Sequence, residues 1–495
     1  MDDPRPFIQQ RVEKRDQLRE QGVEPYPYRF DFTHRIGGVH AAFETLDASG
    51  DPVRVAGRIQ SRRKQGKVTF LDLVDGTGKI QVYVRKDEVG EEPYTRLSLF
   101  DIGDFAGVEG AVFRTRTGEV TVRATRVDLL TKSLRPLPEK WHGLRDLETR
   151  TRQRYVDLIM NPDSRRVFET RARLIAAVRK VFGDRGFMEV ETPILQPLYG
   201  GANARPFQTH HNALDMPLYL RIAKELYLKR LLVGGLDRVF EIGKDFRNEG
   251  IDRMHNPEFT QVEAYQAYAD YEDMMELVET LLREMAMAVF GSTVVEYRGR
   301  TADLGRPWVR LRIADALRRW ADIDLEEAAD ADLRSALAAR HVQADERWTR
   351  GRLIAELVDE AVEPALHEPT FLMDYPLEIS PLAKVKRGRP DETERFEPFL
   401  FGMEIGNAFS ELNDPAEQKR RFERQVELRT LGDEEAQMMD TDYLRALEYG
   451  MPPAGGLGLG IDRLVMIFSG AENIRDVILF PLLRPEGGRE TERRS

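Results

Sequence analysis

FEIGKDFRNEGIDRMHNPEFTQVEAYQAY, residues 240–268, decides how the rest of this chain is read. Residues Arg238 to Gly243 are β-prone, a polar loop with Gly250 and Asn256-Pro257 follows, and Phe259 to Tyr265 alternates again. That pattern predicts two antiparallel strands joined by a long, charged loop. On the returning strand a period of two puts Phe259, Gln261, Glu263 and Tyr265 on one face, with Thr260, Val262 and Ala264 on the other. An aromatic, an amide, a carboxylate and a phenol do not make a core face. The loop carries Arg247, Glu249 and His255, which sets a planar, bidentate phosphate binder beside groups able to hold a base or ribose. Taken alone, the stretch fits either an active-site arm or a solvated hairpin with incidental charges.

At these residues the chain closely resembles motif 2 of the class II aminoacyl-tRNA synthetases, the FRNEG…HNPEF pattern. Within that class it is similar to the bacterial type of lysyl-tRNA synthetase. Two further stretches fall in the order the resemblance requires. From Ser164 to Gly186 a helical face carries Val167, Leu174, Ile175, Val178 and Phe182, and FMEVETPIL follows as a strand with a proline. That combination resembles motif 1, which in this class forms the dimer interface. Near the C-terminus, GGLGLGIDRLVMIFSG has Gly456, Gly458 and Gly460 spaced GxGxG, and Arg463 stands where a dinucleotide fingerprint needs its third glycine. A glycine-rich strand opening a helix with Asp462 and Arg463 in its first turn resembles motif 3.

Composition sets outer limits. A chain of 495 residues exceeds one hydrophobic core, so two or three domains are expected. Seventy-four basic against 85 acidic residues give a net charge of −11, which argues against wholesale coating of nucleic acid but leaves room for a local basic patch. The absence of cysteine excludes disulfides, thiolate catalysis and cysteine-ligated zinc. His210-His211 lacks the helical spacing of a zinc pair, and no zinc is expected. No run is apolar enough to span a bilayer and MDDPRPF has no signal-peptide pattern, so the expected setting is cytoplasmic, without a membrane partner.

Arg5 to Gln21 reads as an amphipathic helix within an N-terminal extension, residues 1–50. Between Val53 and Asp128 short β-prone runs with turn signals, Asp75-Gly76 and Thr77-Gly78 among them, suit a small β-barrel over 51–143. Arg54, Arg58, Arg62, Arg63, Lys64 and Lys67 occur with no acid between Asp51 and Asp72, and Phe70 and Gln81 lie nearby. Single-stranded nucleic acid needs such a surface, because aromatics stack on bases and cations follow the backbone. A solvated strand edge guarded by charge fits equally well. The resemblance implies the former: an OB-fold whose Arg62, Phe70, Gln81 and Glu119 meet the tRNA anticodon. The proline-containing SLRPLPEKWHG, 133–143, marks the boundary, and 144–495 forms the second domain. Tyr271 to Phe290 repeats a helical core pattern closed by Gly291, and 302–368 reads as a helical surface insertion.

In ERFEPFLFGMEIGNAFSELND, Glu397, Glu404 and Glu411 lie among apolar residues and would repel unless cations neutralise them. Strict alternation sets Asn407, Phe409 and Glu411 on one face and Glu404 on the other, so one shared pocket requires a twist or bulge at Gly406.

The resemblance implies an α+β fold: an antiparallel-sheet class II catalytic domain preceded by an all-β OB-fold barrel. It implies ATP, L-lysine and lysine tRNA as substrates, Mg2+ with the ATP, and a homodimer. Arg247 and Arg463 would be catalytic, and with Glu249, His255 and Phe259 would bind ATP. Gly201, Glu225, Glu263, Tyr265, Asn407, Phe409 and Glu411 would bind lysine, and Glu397 and Glu404 magnesium. The chain departs from the family pattern at Lys224 (often proline), Met254 (often arginine) and Ala408 (often glycine). Rival readings are an aspartyl- or asparaginyl-tRNA synthetase, a ligase that attaches lysine to an elongation factor, and a catalytically dead paralogue that binds RNA. The first needs cations facing the side chain, the second lacks an anticodon domain, and the third is opposed by the survival of Arg247 and Arg463.

Overall fold

The computed structural model describes residues 5–138, 146–430 and 436–484. It divides into two compact units, Met1–Leu144 and Arg145–Ser495. The boundary expected at 143/144 lies outside the described residues.

In the first unit the helix Arg5–Glu20 buries Leu18, and its Arg11 guanidinium donates to the Ser133 and Ile102 carbonyls, each at 3.0 Å. The barrel closes in the order Val53–Gln65, Val68–Val74, Lys79–Arg85, Val120–Thr131, Phe105–Arg114. Inward positions alternate along each strand, with Val53, Val55 and Ile59 on the first and Leu71 and Leu73 on the second all fully buried. Register shifts at Ile59/Ser61 and Glu109/Gly110 supply the bends that closure of five short strands requires. The turn after the second strand is built on Asp75, whose carboxylate accepts from the Thr77 and Gly78 amides at 2.6 and 3.0 Å.

The second unit is organised on a nine-stranded, mostly antiparallel sheet. Its order is Val309–Arg312, Thr370–Met373, Arg395–Leu400, Gly406–Ser410, Ala454–Gly460, Glu258–Ala267, Arg238–Phe246, Met188–Glu189, with Met403–Glu404 beside Arg395–Leu400. Helices Pro162–Asp184, Tyr271–Phe290 and Ile461–Ser469 cover one face through Leu174, Phe182, Leu277, Leu281, Leu464 and Val465. Asp270 and Asp273 form a capping box at the start of the second of these, and Gly291 ends it in the left-handed region at φ +66°. The opposite face stays open beside helix Glu225–Val233 and holds the site.

Two expectations are corrected. FMEVETPIL does not run as one strand: only Met188–Glu189 joins the sheet, and Leu195–Gln196 pairs in a separate three-stranded sheet. Pro193 has no amide to offer, and the Thr192 amide and hydroxyl donate instead to the Glu241 carboxylate at 3.1 and 2.7 Å, which turns the chain away. The helical stretch begins at Ile313 rather than 302, because Arg300–Asp303 pairs with Val294–Tyr297 and Val309–Arg312 forms a strand of the main sheet. Trp308, 4.9 Å from Phe371 and stacked on it, anchors that strand. Helices Ile313–Trp320, Asp330–Ala338 and Arg350–Ala361 then share a small core around Leu317, Leu333, Leu353 and Leu357.

Candidate active site

The floor of the site is the glycine strand Ala454–Gly460, flanked by the returning strand of the arm and by Gly406–Ser410. Gly456 is paired with Tyr265 on one side and Phe409 on the other, and Gly458 with Glu263 and Asn407. A Cβ on Gly456 would fall 1.9 Å from Glu411 Oε1 and 2.6 Å from the Tyr265 ring. Glycine is therefore required here so that neighbouring side chains can fold across the strand. Above this floor lies a cavity of about 420 Å³, within the range of small-molecule sites. Phe259, Gln261, Glu263 and Tyr265 all line it, so the face read from alternation is the pocket face.

At one end the cavity is acidic. Glu225 opens helix Glu225–Val233 and faces Gly201, whose φ of +87° and 3.0 Å clearance to Glu225 Cβ leave no room for a side chain. Glu263 Oε1 accepts from the Lys224 amide at 2.9 Å and Oε2 from the Tyr265 hydroxyl at 3.1 Å. Burial is the main force that pushes Glu263 up to about 7; the Lys224 ammonium opposes it and Asp245 adds to it. Burial likewise raises Glu411 to about 8, although Lys229 opposes the shift. Glu411 lies behind Gly456 rather than on the cavity wall; its Oε2 accepts from Lys229 at 2.7 Å and its buried Oε1 has no partner among the described residues. Asn407 Oδ1 accepts from Arg395 Nε at 2.9 Å, which leaves its amide hydrogens as donors toward the cavity, and Phe409 lines the wall.

The other end is cationic and aromatic. The Arg247 guanidinium lies 5.1 Å from the Phe259 ring, its amide donates to the Pro257 carbonyl at 2.9 Å, and its buried Nε has no partner among the described residues. Arg463, in the first turn of helix Ile461–Ser469, donates to the Glu404 carboxylate and carbonyl at 2.8 and 2.7 Å. It also lies 3.1 Å from His255 Nε2. A guanidinium can only donate, so Nε2 accepts and the Nδ1 proton points to Asp252, 2.8 Å away. Glu249 is exposed at the cavity rim.

Glu404 lines the cavity with Asn407 because the strand is interrupted at Ile405, one residue before the twist that alternation demanded. Glu397 accepts from the Tyr375 hydroxyl and from Arg395, both at 2.6 Å. Burial, together with Glu404, pushes Glu397 up to about 7 in spite of Arg395. Glu363 and Asp359 are also raised, by burial first and by neighbouring carboxylates, to about 9 and about 6. Hard oxygen donors with excess negative charge fit magnesium. Among the described residues no three His, Asp or Glu side chains form a ready-made metal cage, so phosphate oxygens would have to complete the coordination.

Several residues of the site stand outside the motifs read from the sequence. Arg395 holds Glu397 and Asn407 together, Tyr375 holds Glu397, and Lys229 bridges Glu225 and Glu411, while Asp462 of the motif 3 stretch accepts from the Thr260 amide at 2.6 Å. Only Lys229 was within reach of local reasoning, four residues after Glu225 on one helix.

The barrel has its own candidate surface. Phe70, Tyr83 and Phe113 sit in a row, the first two on paired strands and Phe113 across the intervening strand Val120–Thr131, with ring centroids 5.4 and 6.1 Å apart. Arg123 lies 5.0 Å from the Phe113 ring. Gln81 donates to Glu119 at 2.9 Å and accepts from Thr121, while Arg62 is drawn onto the Phe100 carbonyl at 2.6 Å. Half-buried aromatics in a row are what stacked bases require.

A glycine-floored antiparallel sheet with an arginine-bearing arm, and separately a five-stranded barrel, together define the class II tRNA synthetases with an appended nucleic-acid module. The family described as "tRNA synthetases class II (D, K and N)" matches residues 146–484, and "OB-fold nucleic acid binding domain" matches 53–130. The chain is 55% identical to the lysine–tRNA ligase of Pelotomaculum thermopropionicum over 96% of its own length and 94% of the relative's. Identity is 54% with that of Moorella thermoacetica (96% and 97% covered) and 49% with that of Bacillus subtilis (96% and 97%). The chain belongs to this class II family, in its lysine–tRNA ligase branch.

Proposed function

We propose that this chain activates L-lysine with ATP to lysyl-adenylate and pyrophosphate, then transfers lysine to the 3′ end of lysine tRNA. The observation that carries the reading is the acidic end of the cavity, where Glu225 and Glu263 line the wall and Glu411 stands behind the glycine floor with its Oε1 beside Gly456. The cations near it are already engaged, Lys229 by Glu225 and Glu411 and Arg395 by Glu397, so an acidic substrate side chain finds no partner. Lysine brings two ammonium groups: Glu225 with Gly201 receives the α-amino group, and Glu263, Tyr265 and Glu411 receive the ε-ammonium beside Phe409. The free amide hydrogens of Asn407 suit the carboxylate.

The lysine carboxylate attacks the α-phosphorus in line and pyrophosphate leaves, so no protein nucleophile is needed and catalysis is positioning plus charge stabilisation. Arg247 meets the α-phosphate and the attacking carboxylate. Phe259 stacks on adenine, Arg463 covers its other face and reaches the γ-phosphate, and Glu249 and His255 complete the nucleotide contacts. Glu397 and Glu404 would hold magnesium, which neutralises phosphate charge when bound. On the barrel, Phe70, with Arg62, Gln81 and Glu119, reads the anticodon. The working form is a homodimer, a reading supported by Met188, Ile194 and Leu195 on the motif 1 stretch, which are 52, 45 and 49% exposed. Among the described residues no helix is long and apolar enough to cross a membrane.

Charging assays with radiolabelled lysine, asparagine and aspartate, each on lysine, asparagine and aspartate tRNA transcripts, test the reading. Charging of lysine tRNA alone is expected, and transfer to either other tRNA with its own amino acid would overturn it.

A further inference from the structure

We propose that Lys229 is a positioning residue for substrate selection: its buried ammonium ties Glu225 to Glu411 and thereby sets both the spacing and the charge of the carboxylates that receive the substrate's two ammonium groups. The inference rests on the lysine-pocket reading above. Lys229 has no exposed surface, and its Nζ donates at 2.7 Å to Glu225 Oε1 and at 2.7 Å to Glu411 Oε2. The rings of Phe409 and Tyr443 stand 5.7 and 5.6 Å from it and enclose the remaining sides. Each carboxylate thus gives one oxygen to Lys229 and keeps the other, and on Glu411 that remaining atom is the unpartnered Oε1 beside Gly456.

The charge count has a consequence. With all three ionised, Glu225, Glu263 and Glu411 bring three negative charges and Lys229 one positive, the neighbouring Lys224–Asp245 and Arg395–Glu397 pairs each cancelling internally, which leaves two for the two ammonium groups of lysine. Without Lys229 a third buried anion would be surplus, and carboxylates this close shed such an excess by taking up a proton. A protonated Glu225 or Glu411 is a poor acceptor for an ammonium. The two carboxylates in turn hold Lys229 well above the ordinary lysine range against the opposing effect of burial. Other titratable or charged groups facing this triad are Tyr443 from helix Thr441–Glu448, Glu263 and Tyr265 from the returning strand, and Arg395 from the acidic strand.

The test measures lysine- and ATP-dependent pyrophosphate exchange between pH 6 and 9 for the full-length protein and for Lys229→Met. The variant should raise the KM for lysine roughly tenfold or more with the KM for ATP nearly unchanged, and should move the acid limb of kcat/KM for lysine up by about one pH unit. Removing one partner of a buried ion network can also prevent folding. Lys229→Gln, neutral but still a donor, should then show the same shift, and Lys229→Arg, which keeps the charge, should leave the acid limb in place. An unmoved acid limb in a folded neutral variant, or parallel losses for lysine and ATP, would reduce Lys229 to packing and overturn the proposal. Absence of lysine-dependent exchange in the unmodified protein would instead overturn the pocket reading, and this inference with it.

Discussion

Arg247 shows at the residue scale how the arm is organised for chemistry. Its guanidinium is packed over Phe259 with a buried Nε that no group among the described residues satisfies, and in the proposed reaction an anionic ligand would be its partner. Arg247→Ala should lower the single-turnover rate of adenylate formation about 10²-fold or more, because a contact to the α-phosphate strengthens as charge develops. An unchanged rate in rapid-quench measurements would remove Arg247 from catalysis. Lys224 is a second case, since its amide, which a proline at this position would lack, donates to Glu263, and its ammonium lies on Asp245 at 2.5 Å. Lys224→Pro and Lys224→Met should both lower thermal stability, as breaking a buried pair costs about 3–5 kcal/mol. Both variants remove the ammonium that favours ionised Glu263, but only the proline variant also removes the amide donor, so its KM for lysine should rise further; equal KM values in the two variants would show that the amide does not hold Glu263 in place.

At the scale of elements, what the sequence reveals depends on how local the physics is. The arm was legible because a period of two sorts Phe259, Gln261, Glu263 and Tyr265 onto one face whatever surrounds the strand. Alternation also demanded a break near Gly406, and the structure has it at Ile405. The glycine spacing departs from a dinucleotide fingerprint, but the strand's role as a floor depends on Glu411 and Tyr265 crossing it, which spacing cannot express. Local spacing can express the Lys229–Glu225 contact, four residues apart, but not the Lys229–Glu411 contact across 182 positions or the one between Arg395 and Asn407 across 12. Val309–Arg312 was absorbed into the insertion because four residues at a sheet edge carry too little periodicity. On the barrel, the row Phe70, Tyr83, Phe113 is an element-level feature of three strands. Phe70→Ala should weaken tRNA recognition by roughly 1–3 kcal/mol, measured as kcat/KM for tRNA, and spare pyrophosphate exchange. Equal loss in both assays would make Phe70 a packing residue only.

At the scale of the whole molecule, the pocket stores charge that the fold alone does not neutralise. Glu263 and Glu411 stand near 7 and 8, whereas an unfolded glutamate releases its proton at about 4.3. Between those limits the folded chain holds protons that the unfolded chain has lost, so these two groups reduce stability as pH rises through that window. In the proposed function bound lysine would supply the missing cations and offset that loss. The rise in Tm produced by saturating lysine should therefore be larger at pH 8.5 than at pH 6, by differential scanning fluorimetry, and an increment that shrinks with pH would contradict the assignment of both carboxylates.

The central claim, that this site activates lysine and no other amino acid, is tested most directly by amino-acid-dependent exchange of labelled pyrophosphate into ATP, run with each of the twenty amino acids in turn. Exchange with lysine far above all others is the predicted result. Exchange driven best by aspartate or asparagine, or none with any amino acid, would contradict it.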